Sequence, residues 1–422
     1  MTHPFKHTIL FLALLIFSAR AEAASILVPM DEPQKNHLKA YGIAYWSLER
    51  AVEIKWLLNF RGGSFLIPWV QEIENECLIR GVSYEILADG QAQALLDQIS
   101  SPSQNMDAID LHKAPKMAVY SPPNKQPWDD AVTLVLSYAE IPYDILYDEE
   151  ILNGKLNDYD WLHLHHEDFT GQYGKFFRHY QHMPWYKEDV QTNKALAQKM
   201  GFLKVSEMKL VVSKTIKNYV TNGGFLFAMC AATDTYDIAL SAEGVDICES
   251  MFDGDPADPD MNEKIDFTRT FAFQNFELVK DPYRYEFSNI DVTDTRSVPM
   301  TSDYFMLFEF SAKWDPVPTM LCQNHTSIVK GFMGQTTAYK RDLLKPEVLV
   351  MGENKNINEA RYIHGELGNG TWTFYGGHDP EDYRHAVGDP PTDLNLYPNS
   401  PGYRLILNNV LFPAAKKKKQ KT

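Results

Sequence analysis

The chain has 422 residues, with 40 Lys and Arg against 56 Asp and Glu, for a formal net charge of −16. At 44% hydrophobic and 23% charged residues it is a globular sequence, long enough for two or three domains and a sizeable core. The acid excess speaks against nucleic acid, which demands clustered Lys and Arg, and four cysteines are too few for a disulfide scaffold.

His3, Lys6 and His7 precede an unbroken apolar run over residues 9–17, and small residues at A-x-A spacing follow over 18–24. This pattern predicts a cleavable secretory signal over residues 1–23. The run falls short of the roughly 20 apolar residues of a membrane span. The expectation is an exported protein, periplasmic by preference, with no stable membrane insertion. Residues 25–30, 54–58 and 82–87 read as strands and 37–52 as a helix, so 24–113 forms a small α/β unit. Arg61-Gly62-Gly63-Ser64 is a turn, and a polar stretch at 100–107 leads to a boundary near Lys113.

A larger unit over 114–413 follows. Strands are predicted at 116–121, 143–147 and 161–166, and helices at 129–139 and 206–221. Asn222-Gly223-Gly224 stops the second helix. Residues 224–229 are apolar without alternation, as in a parallel strand covered on both faces. Residues 243–346 are rich in Asp, Pro, Phe and Thr and read as a partly β insertion, with antiparallel strands at 271–278 and 304–310. Strand character resumes at 348–351. Gly368-Asn369-Gly370 then joins 361–367 to 371–375 in a hairpin, and a helix at 403–411 closes the unit. Residues 414–422, with four consecutive lysines, form a basic, disordered tail.

Three stretches carry chemistry. In Asn222-Gly223-Gly224-Phe225-Leu226-Phe227-Ala228-Met229-Cys230-Ala231-Ala232-Thr233-Asp234, an apolar strand runs through Cys230 into a helix. Small residues stand two before and two after the cysteine, as a nucleophile elbow requires. The helix amino terminus would lower the Cys230 pKa; a buried structural cysteine is the other reading. Past a strand and two glycines, His378 is a general-base candidate, with Asp379, Glu381 and Asp382 at hand to orient it. A loop histidine in an acidic turn is the alternative. The third stretch is His163-Leu164-His165-His166-Glu167-Asp168, at the end of a strand. Strand alternation would put His163 and His165 on one face and His166 on the other. A pocket wall or proton-transfer group, a zinc site on His163, His165 and Glu167, and hydrogen-bonded structural histidines are all open here. Residues 169–180, with glycines and aromatics, read as a lid or as core. The acidic run from Asp253 to Asp260 reads as a solvated loop or, less simply, a calcium loop. Cys77, Cys248 and Cys322 leave room for one disulfide.

The segments Gly223-Gly224-Phe225, Ala231-Ala232-Thr233-Asp234, Phe374-Tyr375 and Gly377-His378-Asp379 resemble the class I glutamine amidotransferase-like superfamily, and within it the ThuA-like (trehalose utilisation) branch. The resemblance spans residues 116–413 with the insertion as an extra. It implies a flavodoxin-like parallel sheet with helices on both faces. The pattern departs from the family in three places. Cys230 stands where ThuA-like proteins often carry His. The order His378-Asp379-Pro380-Glu381 puts the acid one residue later than the glutaminase His-Pro-Glu. His165-His166-Glu167-Asp168 replaces a Gly-rich oxyanion turn. Exported bacterial sequences of this kind also carry the label asparagine synthetase B. Position 2 is Thr2 and no Ser-Gly-Gly-x-Asp-Ser loop exists, so the residues do not support that activity.

The resulting expectation is a cysteine-dependent hydrolase or transferase acting on an amide or saccharide-derived substrate. Cys230 attacks, His378 moves the proton and Glu381 or Asp379 orients it. His165, His166, Glu167, Asp168 and Asp234 line the pocket. No cofactor is predicted. The alternatives are a non-catalytic saccharide- or peptide-binding protein of the same fold, and a metal-dependent hydrolase holding zinc on the His163–His166 cluster.

Overall fold

The computed structural model describes residues 23–123 and 130–415. Apart from Ala23, the expected signal lies outside these residues, as does the lysine run at 416–419. The protein is a mixed α/β structure. Its first 90 or so described residues run β1 (Ala23–Val28), α1 (His37–Glu49), β2 (Ile54–Leu58), β3 (Ser64–Pro68), α2 (Gln71–Arg80), β4 (Glu85–Ala88), α3 (Asp89–Ser100) and β5 (Asp107–Leu111). The strands lie in the order β4-β1-β3-β2-β5, and every pairing is antiparallel. The turn after β2 explains this. Asn59, Arg61, Gly62 and Gly63 all take positive φ and fold the chain tightly back, so β3 inserts between β1 and β2. Arg61 is held there by Asp31 and Glu85, both at 2.7 Å.

The second sheet has ten strands. In chain order come β6 (Met117–Tyr120), α4 (Ala131–Ala139), β7 (Asp144–Leu146), β8 (Trp161–Leu164), α5 (Pro184–Lys199), α6 (Val205–Thr221), β9 (Phe225–Met229) and α7 (Ala232–Ser241). They are followed by β10 (Tyr304–Leu307), β11 (Ile328–Lys330), β12 (Tyr339–Lys340), β13 (Leu349–Asn354), β14 (Glu359–Leu367), β15 (Gly370–Tyr375) and α8 (Pro401–Leu411). The order is β11-β10-β13-β14-β15-β9-β8-β6-β7, with β12 on β14. From β15 to β7 all neighbours are parallel; from β15 to β11 all are antiparallel.

All five residues of β9 are buried, which is why its sequence lacks alternation. Phe225, Phe227 and Met229 pack with Trp161, Tyr375 and helices α1, α4 and α8 on one face. Leu226 and Ala228 pack with Leu162, Leu164, Phe374 and helices α6 and α7 on the other. Helix α1 is buried between the two sheets, so the N-terminal sheet and the main sheet share one core. Arg404 on α8 ties them further, donating to the carbonyls of Met30 at 3.0 Å and Gly62 at 2.7 Å.

The insertion departs from expectation in its first half. Residues 271–278 do not form a strand, because the buried Asp237 carboxylate takes the N–H groups of Phe271, Ala272 and Phe273 at 2.6, 2.7 and 3.1 Å. The predicted strand at 304–310 is real but stops at Leu307. Buried Arg296 and Arg361 grip Asp303, and Arg296 also grips Glu359, pinning the insertion to β14. The acidic run is held by an ammonium: Lys204 Nζ reaches Asp246, Asp253 and Asp255 at 2.5, 2.9 and 2.6 Å. All four cysteines are free thiols. No helix among the described residues is long and apolar enough to cross a membrane.

Candidate functional site

Four adjacent parallel strands, β15, β9, β8 and β6, deliver the candidate groups from their carboxyl ends, the edge at which open α/β sheets bind ligands. At the end of β9, Cys230 has φ +50, a conformation an L residue adopts at a cost of about 1–3 kcal/mol and one that gathers at functional turns. Helix α7 begins two residues later, and Ala232 N donates to His165 O at 2.9 Å, joining the β9 and β8 loops. The small side chains of Ala228 and Ala232 permit this approach. The sulfur receives backbone hydrogen bonds from Thr336, Gln335 and Ala231. Burial nevertheless outweighs these donors and the helix end, and pushes the thiol up to about 11. The expected lowering is therefore reversed. Gly334 is the reason the cover fits: a Cβ there would lie 2.9 Å from Cys230 Sγ and 2.8 Å from His378 N.

The histidines form a chain. Asp130, the N-cap of α4, binds Val132 N at 2.7 Å, and its oxygens lie 3.3 Å from His163 Nε2 and 3.3 Å from His165 Nδ1. His165 Nε2 lies 3.0 Å from His378 Nδ1. His163 Nδ1 is satisfied by Phe227 O at 3.1 Å, so that ring is locked inside the sheet. Burial opposes charge on His165, but Asp130, Glu167 and Asp379 outweigh it and raise its pKa. For His378 burial and the neighbouring histidines act together, and its pKa falls well below the usual value. Burial first, then the Asp130 charge, lifts Glu167 to about 7.

Strand alternation does not govern His166. Because β8 ends at Leu164, the rings of His165 and His166 both approach His378, at centroid distances of 4.5 and 5.8 Å. The expected orienting acids are elsewhere. Asp379 accepts from Glu381 N and from Thr392 Oγ1, and Glu381 bonds Ser400; His165 takes their place beside His378. Asp168 shapes its own loop through Thr170 and Gly174. Asp234 accepts from Thr336 Oγ1 at 2.8 Å, and Asp291 accepts from Thr337 N at 3.0 Å, so two buried acids hold the segment that covers Cys230. Burial raises both, Asp291 to about 7. The 169–180 segment is clamped to the insertion: Lys175 Nζ donates to Val279 O and Glu286 O at 2.9 Å, and Gln335 donates to Gly174 O at 2.8 Å. Between it and the strand ends lies a cavity of about 50 Å³, bordered by His166, Glu167, Asp168, Tyr173 and Phe176.

Sequence reasoning missed Asp130 and the cover at Gly334–Thr336. The helix after β6 was legible, and an acidic residue before it is an ordinary cap; the second duty of that carboxylate depends on β8 lying next to β6. Nothing in the sequence marks the cover.

No family model and no curated protein matches the chain. Among solved structures, a cytoplasmic protein from Salmonella typhimurium, STM3548, is similar at 11% identity over 72% of this chain and 100% of its own, with a TM-score of 0.34. A second, STM1381 from Salmonella typhimurium LT2, is 12% identical over 75% and 94%, with a TM-score of 0.33. A beta-galactosidase from Bacillus circulans sp. alkalophilus is 10% identical over 64% and 29%, with a TM-score of 0.27.

Proposed function

We propose that this is an exported, amidotransferase-like protein whose site carries out cysteine-dependent hydrolysis or group transfer on an amide or a saccharide-derived substrate. The order β7-β6-β8-β9-β15 corresponds to 2-1-3-4-5 in chain sequence, which supports the flavodoxin-like reading of the parallel half of the sheet. The observation that carries the reaction is Cys230 at φ +50 between a buried parallel strand and a helix, with backbone donors on its sulfur. In the proposed step His378 takes the thiol proton and sulfur adds to the substrate carbonyl. The proton passes to the leaving nitrogen as the C–N bond breaks. Water then cleaves the thioester, returning the acid and the thiol. With His165 Nδ1–H directed at Asp130, His378 Nδ1–H donates to His165 Nε2, and His378 Nε2 is left to accept.

Alkylation with iodoacetamide at neutral pH, read by peptide mass spectrometry, tests this. Burial raises Cys77 to about 12 and raises Cys248 and Cys322 as well, and none of these three shares the elbow geometry. Cys230 is expected to label first, and His378→Ala to slow that labelling. Equal, slow labelling of all four thiols would overturn the nucleophile and leave the covered cysteine to a binding protein of the same fold.

A further inference from the structure

We infer that His165, His166 and His378 form a binding site for one divalent transition-metal ion of the zinc class. The nitrogens these three residues offer all lie within 4.8 Å of one another, a spacing that admits a single ion among them. The set differs from the one the sequence suggested. His163 is withdrawn by Phe227 O and Asp130, and Glu167 engages His165 N through one oxygen.

Four features make this a site and not a mere cluster. The rings come from two separate strand ends, β8 and β15, which the rigid sheet holds together. Asp130 contacts His165 Nδ1, the carboxylate–histidine support that turns the far nitrogen toward a metal. His385 stacks on His378 at 4.9 Å and is itself held by Asp382 at 3.0 Å. His166 borders the 50 Å³ cavity with Glu167 beside it, so there is space for water or a small ligand next to this histidine. Three imidazoles without a carboxylate select zinc, cobalt, nickel or copper over magnesium or calcium. The inference does not depend on Cys230 acting as a nucleophile, although an ion on His378 and proton transfer by His378 exclude one another.

The full chain, stripped with chelator, is loaded with Zn²⁺ or Co²⁺, desalted and measured by elemental analysis and by the visible absorption of Co²⁺. One equivalent is expected in the wild type and in Cys230→Ser, and Mg²⁺ should not compete. Asp130→Asn should weaken binding by about 10–100-fold. His166→Ala should abolish it while circular dichroism and thermal unfolding report an intact fold. The site is overturned if the wild type retains no stoichiometric metal, if His166→Ala retains it, or if Asp382→Asn is the variant that loses it, which would place the ion on Asp382, His385 and Asp389.

Discussion

The imidazoles of His165 and His378, 213 residues apart in the chain, meet at 3.0 Å. Neither ring owes its place to the other. One follows β8, the other follows β15, and β9 between them sets the spacing. The contact is thus built by three strands and should survive the loss of any one polar partner. Asp130→Asn should leave the fold unchanged and slow Cys230 alkylation, since it removes the charge behind the relay. His378→Ala should slow it more, and where turnover can be followed should lower kcat by about 10²–10⁴. An Asp130→Asn rate equal to wild type would mean that the relay does not reach the thiol.

Gly334 offers a steric test. A methyl group there meets Cys230 Sγ, His378 N and Gly377 C at 2.9, 2.8 and 3.0 Å. Two of these contacts are backbone and do not yield. Gly334→Ala should cost about 1–3 kcal/mol in urea unfolding through overpacking. It should also lift the cover and speed Cys230 alkylation relative to unfolding. A variant with wild-type stability and labelling would show that the cover is not seated on the sulfur.

The stability of the second face leans on one buried ion pair. Lys209 Nζ lies 2.8 Å from Asp148 Oδ2, with Tyr120 and Tyr147 hydroxyls also on the ammonium. Both residues are nearly inaccessible to solvent. Lys209→Met strands the carboxylate and should destabilise by about 3–5 kcal/mol. Lys209→Met with Asp148→Asn should recover part of that loss, as measured by chemical unfolding; additive losses would mean that the pair is not coupled.

Acid should weaken the junction between the two sheets. His37 and His325 stack at 4.4 Å, with Arg404 bonded to His325 Nδ1 at 3.0 Å. Burial, with Arg404, lowers His37 to about 4 and His325 to about 3. A histidine whose folded pKa is depressed binds its proton more readily when unfolded. Its contribution is therefore full above about pH 6.5 and is lost as pH falls toward 4. The urea midpoint should decline over that window, and His325→Gln, which keeps an acceptor for Arg404, should flatten the decline. Equal slopes in the two proteins would exclude the pair as its source.

Local pattern was enough to find the strands that build the site. The unbroken apolar character of β9 and the small residues around Cys230 point directly to a buried strand and a sharp turn. The hairpin of β14 and β15 is legible in Gly368-Asn369. Partners set by sheet order were not legible. Asp130 reaches His165 only because β6 lies beside β8, and His378 meets His165 only because β15 lies beside β9. The irregular path at 271–278 was hidden for another reason: one carboxylate, Asp237, competes successfully with a strand partner for three N–H groups. The antiparallel N-terminal sheet followed from four positive-φ residues in one turn, two of them not glycine.

Arg404 has a consequence for the order in which the protein acquires its shape. Its guanidinium closes the junction between β1 and the turn after β2, and His112 N, just past β5, bonds Ala414 O at 3.0 Å. The opening sheet is therefore finished by residues the ribosome adds more than three hundred positions later. Long-range closure of this kind is slow and leaves early segments without their partners. Until α8 emerges, α1 can rest on β2, β3 and α4, as Tyr41 does on Trp56 and Phe65, but it lacks the last of the surfaces that bury it.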